Sequence, residues 1–475
     1  MIGFGFFDEW HPEAGRLIAW SATSRCRAAA APAAAHPVPP SHQQEEYLRA
    51  AFRNAGRNGR GSRLCMMAFD LPGAPDHAAM TGAVNTFLRR HDTFSSWFAV
   101  GADEQVVRHT FDPALIEFAP ADHGAFGDAE SMREHIQATT PGPLEWDCFS
   151  FGIITRPGSF TVYAVVDHLH TDGVAQAVTF LDLFALYSGH AAGNEPVLVP
   201  VDGHIGYCER ERARSAALTS HTPQVRRWLD LLVRNGGDLP SFPLPLGLTG
   251  QGFGRGGQLT IPLLTEPEAL RFERICAEHG GRFLGGIFAT IALTESLITG
   301  RDWYFGLTPA STRGTAGEAA SVGWYTSLVP VAFDIAAGAG GSFTALVAGA
   351  QEAVDSAKEL SDVSVHRVLQ LVPPHMRIRT RPGWSAPMVS YLDARKIAGV
   401  SQFGAVNGGL YANRVSSSEV YMWVNRFPEA TTATLFFPDT AEANESVRRY
   451  VATLTSVFDA ITETGDFIAV VEALS

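Results

Sequence analysis

Long apolar runs and basic clusters are both missing from this sequence. Charged residues make up 18 % of its 475 positions, the formal net charge is −13, and no basic stretch is interleaved with aromatic residues. This composition argues against a nucleic-acid partner. The most apolar stretch, around residues 283–298, is interrupted by Thr290, Thr294 and Glu295 and is too short for a spanning helix. We therefore expect no transmembrane segment.

Cysteine is scarce, and its placement argues against a disulfide framework. The five cysteines are odd in number, lie far apart and include no CxxC pair, which is typical of reduced thiols in a cytoplasm. Asp8, Glu9 and His11 precede any hydrophobic region, so the first residues do not resemble a secretory signal. A cytoplasmic location is the expectation.

Hydrophobic residues, by contrast, are abundant at 46 %, which predicts large cores and about two or three domains. Residues 21–41 are rich in Ala and Pro and predict an extended connector. Two Gly- and Pro-rich segments, 190–203 and 236–256, flank a helical run from Ile205 to Val233. A boundary within that run divides the chain into an N-terminal lobe, residues 1–230, and a C-terminal lobe, residues 231–475.

The densest group of reactive side chains lies between Asp167 and Gly173, in the sequence DHLHTDG. The preceding run TVYAVV is short and rich in β-branched residues, which favours a buried strand over a helix. From Val174 to Ala185, apolar residues recur at helical spacing. The motif therefore ends a strand and opens a helix, a junction that can direct side chains into a cleft.

Strand geometry predicts where the side chains of the motif point. Successive strand residues face opposite sides, so His168 and His170 would share one face and Asp167 would take the other, unless the turn has already begun at these residues. Asp172 lies just before the helix, where its carboxylate can cap the helix or reach a cation.

Three interpretations of the motif are open on these residues alone. In the first, both histidines are packed at the strand end and Asp172 is only a helix cap. In the second, His-x-His-x-Asp binds zinc, although the chain has Gly173 where the metallohydrolase pattern continues with another histidine. In the third, His168 is a general base, and Gly173 lets a substrate approach the backbone.

A family resemblance favours the third interpretation. The spacing Asp167-His168-x-x-x-Asp172-Gly173 resembles the HHxxxDG signature of the condensation-domain acyltransferase superfamily. Other stretches resemble family segments in the same order: PPSHQQEEYLR at 39–49, RRHDTFSSWF at 89–98, PLEWDCFSFGI at 143–153, VGWYTSLVPV at 322–331 and VSYLDARKIAG at 389–399. The likeness is nearest to the polyketide-associated protein (Pap) acyltransferases that acylate trehalose-type glycolipids, in which Asp commonly replaces the first histidine. Phe94-Ser95 departs from the Leu-Arg that is common in the wider superfamily.

The resemblance implies a fold and a reaction. The fold would be α/β (α+β), with two chloramphenicol-acetyltransferase-like lobes, each a mixed β-sheet with flanking helices, and a tunnel between them. The reaction would move an acyl group from a CoA or carrier-protein thioester to a hydroxyl group of a glycolipid, a sugar or a natural-product alcohol. It would need no metal and no permanently bound cofactor.

Two sequence patterns are absent. Their absence limits the possible acyl donors and argues against a covalent acyl-enzyme. No serine or cysteine lies in a nucleophile elbow, so nothing indicates an acyl-enzyme intermediate. No Gly-Gly-His-Ser-type phosphopantetheine attachment segment is present. The acyl group would therefore arrive on acyl-CoA or on a separate acyl carrier protein, such as one of a polyketide synthase.

The resemblance also implies roles for individual residues. His168 would be the general base, with Asp172 and Gly173 completing the catalytic motif. Arg313, in the stretch TPASTR, would pair with Asp172 across the two lobes, although an arginine in such a loop is more often simply solvated. Ser327 would help to orient substrate or, equally, bond to the backbone. The remaining expectations are structural ones and concern Asp167, Arg90 and His91.

Two alternative functions remain at this point. The chain could be a free-standing condensation enzyme that forms amides, because an amine can replace the hydroxyl acceptor. It could also be a non-catalytic condensation-like module that recruits another enzyme, against which the retained His168, Asp172 and Gly173 argue.

Overall fold

The chain forms two compact units, each built around a mixed β-sheet. The computed structural model describes residues 2–54, 63–248, 255–335, 341–379, 387–397, 399–415 and 417–468. Unit 1 comprises Met1–Ala216, Thr312–Thr326 and Ile397–Val415, and unit 2 comprises Ala217–Ser311, Ser327–Lys396 and Ser416–Ser475. The predicted architecture of two lobes with mixed sheets and flanking helices is confirmed.

Strands and helices are interspersed along the described chain. The strands are β1 Gly3–Phe6, β2 Gly15–Ala22, β3 Ala34–Ala35, β4 Leu64–Pro72, β5 Ser96–Val100, β6 Val106–Thr110, β7 Phe118–Phe126, β8 Phe149–Arg156, β9 Ser159–Asp167, β10 Gly256–Thr265, β11 Trp303–Ser311, β12 Thr326–Asp334, β13 Met388–Asp393, β14 Gly409–Ala412, β15 Tyr421–Arg426 and β16 Ala430–Pro438. The helices are α1 Ser24–Ala30, α2 His42–Asn54, α3 His77–Arg90, α4 Ala129–Thr139, α5 Gly173–Ala191, α6 His204–Ala216, α7 Pro223–Arg234, α8 Glu266–Glu278, α9 Phe283–Thr299, α10 Ala316–Ala319, α11 Phe343–Lys358, α12 Val365–Gln370, α13 Val400–Ala405 and α14 Ala441–Thr464.

The sheet of unit 1 has seven strands in the order β1-β14-β4-β9-β8-β2-β7. Only the β1–β14 pair is parallel; β4, β9 and β8 pair antiparallel, with Cys65 opposite Val166 and Phe149 also opposite Val166. The motif strand β9 is therefore central, and seven of its nine residues from Phe160 to Val166 are buried apolar or Thr side chains. Burial on both faces explains why its sequence shows an uninterrupted apolar run.

The sheet of unit 2 has the order β10-β16-β15-β13, with β13 and β15 parallel and the other pairs antiparallel. Helices α8, α9, α11 and α14 contribute apolar side chains to the core of this unit, among them Phe272, Ile287, Val347 and Leu454.

Within the described ranges, no single helix combines the length and the apolar composition needed to cross a bilayer. Helices α8 and α9 reach that length and composition only as a pair, which is bent by 92°.

Two local predictions differ from the structure. The Ala- and Pro-rich segment 21–41 is not wholly extended, because Thr23 accepts a hydrogen bond from the backbone N–H of Cys26 and so caps the short helix α1. The division at 230/231 also differs, since α7 contributes Val225, Trp228 and Leu232 to the core of unit 2. The same division also differs in continuity, because the later segments 312–326 and 397–415 belong to unit 1.

Candidate active site

The motif forms a short 3-10 turn, His168–His170, between β9 and α5. The Asp167 carboxylate accepts the backbone N–H of Leu169 at 3.0 Å, which caps this turn. The backbone N–H of His168 donates to the carbonyl of Arg63 at 2.7 Å, and the side-chain amide of Gln44 donates to the carbonyl of Leu169 at 2.9 Å. Three hydrogen bonds therefore hold the turn in place. Strand alternation ends at Asp167 and the turn begins at His168, so the shared strand face expected of His168 and His170 in a continuing strand does not form.

Asp167 is fully buried and faces Tyr47. The Tyr47 hydroxyl donates to its carboxylate at 2.9 Å and accepts the backbone N–H of Arg63 at 2.8 Å. Burial raises the pKa of Asp167 to about 7, although the bonds from Leu169 and Tyr47 and the charge of Arg63 oppose that shift. These contacts agree with a structural role for the carboxylate and do not include the His168 ring.

His168 lies against Trp324, with ring centroids 4.3 Å apart and planes tilted by 48°. Its side chain is half-buried, and its Nδ1 is buried with no hydrogen-bond partner among the residues that the structure describes. Burial and, to a smaller extent, the charge of Arg63 lower the pKa of His168 to about 4. The imidazole is therefore neutral at physiological pH, the state that a general base requires.

His170 occupies a different environment from His168. It is buried, its Nδ1 lies 2.7 Å from the Thr93 hydroxyl, and its ring packs near Phe94, Phe98 and Phe149. Burial lowers its pKa to about 3. Across the described ranges no group of three or more His, Cys, Asp or Glu side chains is placed to hold a metal ion. His170 is therefore a packed core residue.

Asp172 combines the two roles that the sequence left open for it. Its Oδ1 accepts the backbone N–H of Ala175 at 2.8 Å and so caps α5. Its Oδ1 and Oδ2 also accept two bonds from the Arg313 guanidinium, at 3.0 and 2.8 Å. The backbone N–H of Tyr325 and the hydroxyl of Thr326 donate to Oδ2 at 2.8 and 3.4 Å. The carboxylate therefore joins the start of α5 to the segment 312–326.

Arg313 is nearly as buried as its partner, with side-chain exposures of 6 % for Arg313 and 5 % for Asp172. Its Nε donates to the carbonyl of Glu318 at 3.1 Å, and its guanidinium lies 4.4 Å from the ring centre of Tyr325. The predicted ion pair is thus present in the structure. It does not join two lobes, however, because both residues belong to unit 1.

Gly173 and Ser327 complete the set of predicted residues. Gly173 is the first residue of α5, is exposed, and has no heavy atom within 4 Å of the position that a Cβ would take. Ser327 is buried near the start of β12 and belongs to unit 2. The roles of both residues in the reaction stay predictions.

The RHD triplet, residues 90–92, holds helices α5 and α6 through hydrogen bonds. Arg90 and His91 both bond to the Asp182 carboxylate of α5, at 2.9 and 3.1 Å, and His91 Nδ1 accepts the backbone N–H of Val322 at 3.2 Å. Asp92 accepts the first two N–H groups of α6, from His204 and Ile205, at 2.6 and 3.0 Å. These tertiary contacts agree with the structural role expected of Arg90 and His91, and Asp92 contributes in the same way at the start of α6.

Four residues of this site received no role from the sequence. Gln44 and Tyr47 hold the turn, and Trp324 packs against the His168 ring. His204 Nε2 lies 3.0 Å from the Trp324 carbonyl. Three of them lie in stretches that carry the family resemblance. That signal marked the segments, but the function of each side chain depends on contacts over more than a hundred residues.

Comparison with known proteins gives the same assignment as the fold. The condensation-domain family model matches residues 60–377. Trehalose-2-sulfate acyltransferase PapA2 of Mycobacterium tuberculosis is 40 % identical over 463 residues, 96 % of this chain and 97 % of that protein. Acyltransferase PapA3 of the same organism is 35 % identical over 470 residues, 98 % of both chains. A solved structure of PapA2 acyl transferase matches with a TM-score of 0.90 and 38 % identity, covering 97 % of this chain and 100 % of that one.

The fold and the DHxxxDG motif are those of a condensation-type acyltransferase. The chain belongs to the condensation-domain family and, within it, to the branch of polyketide-associated protein acyltransferases. It is accordingly an enzyme that transfers acyl groups.

Proposed function

We propose that this enzyme transfers an acyl group from a thioester to a hydroxyl group of a trehalose-type glycolipid or sugar, with His168 as the general base. The observation that carries the proposal is the neutral, half-buried imidazole of His168 on a turn that three hydrogen bonds hold in place. The relative PapA2 is a trehalose-2-sulfate acyltransferase, which supports a trehalose-type acceptor.

The base would act through Nε2, because Nδ1 of His168 is buried. Nε2 takes the proton of the acceptor hydroxyl while the oxygen attacks the thioester carbonyl carbon. The tetrahedral intermediate then expels the thiolate, which receives that proton from the imidazolium, so the products are an ester and a free thiol. A positioned base contributes about 10²–10⁴-fold to such a rate, and binding both substrates in reactive geometry contributes most of the remainder.

Asp172 and Arg313 would act on this reaction indirectly. Their bidentate pair and the bond from Tyr325 fix the start of α5 against the segment that carries Trp324. Gly173 is exposed at that helix start, where a substrate can approach the backbone more closely than beside any other residue type. The donor is acyl-CoA or an acyl carrier protein, and the free thiol is released on whichever carrier brought it.

The first prediction separates His168 from His170. Purified protein is incubated with acyl-CoA or acyl carrier protein and with trehalose or trehalose 2-sulfate, and ester products are measured by mass spectrometry. We expect His168→Ala to fold and to lose about 10²–10⁴-fold in turnover, whereas His170→Ala keeps substantial activity at a reduced melting temperature. Because the pKa of His168 is lowered to about 4, its protonation should not reduce kcat/KM between pH 5 and 8.

Three results would contradict this proposal. Stoichiometric zinc in the active protein, lost together with activity in both histidine variants, would restore the metal interpretation. Product formation with amine acceptors only would make the protein an amide-forming condensation enzyme. Full activity of His168→Ala would remove the base.

A further inference from the structure

We infer that Trp324 and His204 are positioning residues that set the orientation of the His168 ring. This inference rests on the proposed function of His168 as the base, but it concerns how the ring is held. In the part of the chain that the structure describes, no side chain accepts a hydrogen bond from His168 Nδ1; the groups that favour its protonated form are the backbone of His168 and Thr171 and the charge of Asp172. Bases of acyl-transfer enzymes are commonly oriented by a side-chain partner on the second ring nitrogen.

Trp324 is the side chain that takes the place of that partner. Its indole lies 4.3 Å from the His168 ring, centre to centre, and makes a T-shaped contact with the Tyr47 ring at 5.8 Å. Tyr47 is itself bonded to Asp167, the residue just before the base. The indole therefore contacts both the base and a ring that is held in place, and an indole packed in this way restricts the rotation of His168.

His204 fixes the backbone from which Trp324 projects. Its Nε2 lies 3.0 Å from the Trp324 carbonyl, which only accepts, so Nε2 carries the proton and donates it. The ring is fully buried, and Asp92 holds the backbone N–H of His204 at 2.6 Å. Burial lowers its pKa to about 4, which keeps the ring in this neutral, donating form.

Gly323 shows how closely His204 packs against the segment that carries Trp324. A Cβ on Gly323 would lie 2.6 Å from Cδ2 of the His204 ring and within 2.9 Å of two more of its carbons. Such distances force the ring to move. Gly323→Ala therefore displaces His204 while leaving the Trp324 and His168 side chains unsubstituted. It offers a second way to test the contacts that lead from His204 to Trp324 and His168.

The test measures turnover and the state of His168 separately. Trp324→Leu, His204→Leu and Gly323→Ala are compared with wild type by steady-state kinetics and by histidine NMR with His168 assigned. We expect Trp324→Leu to lower kcat at least tenfold with little change in KM, and the titration midpoint of His168 to rise from about 4 toward the ordinary histidine value of about 6.5. Trp324→Phe and His204→Gln, which keep a ring or a donor, should restore most of kcat.

Trp146→Leu is the matched control. Trp146 is as buried as Trp324 and donates to the Phe94 carbonyl at 2.8 Å, but its ring packs against the rings of Phe111, Phe118 and Phe149. It should lower the melting temperature without changing the His168 midpoint. Wild-type kcat and an unchanged midpoint in both Trp324→Leu and Gly323→Ala would overturn the inference. Wild-type turnover of His168→Ala would instead overturn the proposed function, while the NMR comparison would still decide whether Trp324 and His204 hold the ring.

Discussion

At the scale of single residues, the buried pair of Asp172 and Arg313 carries the largest energetic consequence. Each charge is almost completely removed from water, and each is compensated by the other and by backbone groups. Removing one member leaves the other charge buried and unpaired, which typically costs roughly 3–5 kcal/mol.

The second prediction concerns that pair. Asp172→Ala and Arg313→Ala should each destabilise the protein by about that amount, and the double variant by much less than the sum, since contacting residues couple by roughly 0.5–3 kcal/mol. Chemical denaturation of the four proteins measures the coupling. The exposed pair Arg282–Asp355, with exposures of 64 % and 43 %, is the control and should couple far more weakly. Additive effects at Asp172 and Arg313 would remove Arg313 from the site.

The third prediction concerns Asp167, whose pKa is raised to about 7. Between about pH 4 and 7 the folded protein holds a proton on this carboxyl that the unfolded chain has released, so this group's stabilising contribution falls as pH rises and is absent above pH 7. Asp167→Asn has no such titration. Its stability relative to wild type should therefore improve by roughly 1 kcal/mol per pH unit over that interval and then stay constant, with little loss of activity.

Thermal or urea unfolding at pH 4.5, 6 and 8 checks the Asp167 prediction. Asp167→Leu, which also loses the bonds to Tyr47 and Leu169, is the companion variant and should lower stability before it alters turnover. If Asp167→Asn instead lost activity by about 10⁴-fold with an unchanged melting temperature, the carboxylate would be polarising His168, and the base would be an Asp-His pair.

At the scale of elements, the junction of β9 and α5 is the feature on which the site depends. A buried central strand fixes the position of Asp167, and a capped helix fixes that of Asp172. Only four residues separate the two carboxylates, and three of them, His168–His170, form the 3-10 turn that carries the proposed base.

The fourth prediction tests that helix start through Gly173. Alanine there meets no atom within 4 Å and suits a helix better than glycine does, so Gly173→Ala should keep or raise stability by up to about 1 kcal/mol. If a substrate passes over this backbone, the added methyl group should lower kcat/KM by about tenfold or more. Gly349→Ala in α11 is the control, because that glycine is also helical, exposed and open. Equal activity of the two variants would show that no substrate needs the space at Gly173.

At the scale of the whole molecule, the first unit is assembled from three separate stretches of chain. Strand β14, residues Gly409–Ala412, lies between β1 and β4 in the sheet, with Gly409 opposite both Gly3 and Ala68. The segment 312–326 contributes Arg313 and Trp324. The N-terminal half of the chain therefore lacks both a strand of its own sheet and the cation of its own site.

The fifth prediction follows from this connectivity. A fragment of residues 1–230 would leave β1 without a neighbour and Asp172 without Arg313, so we expect it to show no cooperative unfolding transition and poor dispersion in NMR spectra. Full-length protein purified in the same way is the control. A fragment that unfolds cooperatively with near-native stability would show that the two later segments are not needed for this unit.

The sequence was sufficient for the elements around the motif. The uninterrupted run before Asp167 predicted β9, and the helical spacing after Gly173 predicted α5, whereas the residues of the motif alone left its chemical role open. These predictions succeed because periodicity and capping depend on neighbours in the chain. The resemblance to a family added the partner Arg313 and the two-lobed fold, neither of which has a local signal.

Only the tertiary structure decided the rest. It assigned Arg313 and Trp324 to the unit that contains the motif, placed β14 in that unit's sheet, and turned His170 toward Thr93 instead of alongside His168. Each of these depends on contacts between residues 77 to over 300 positions apart. Local patterns carry little information about such contacts, because they are selected by the packing of the complete core and by the requirement that every buried charge and backbone group find a partner.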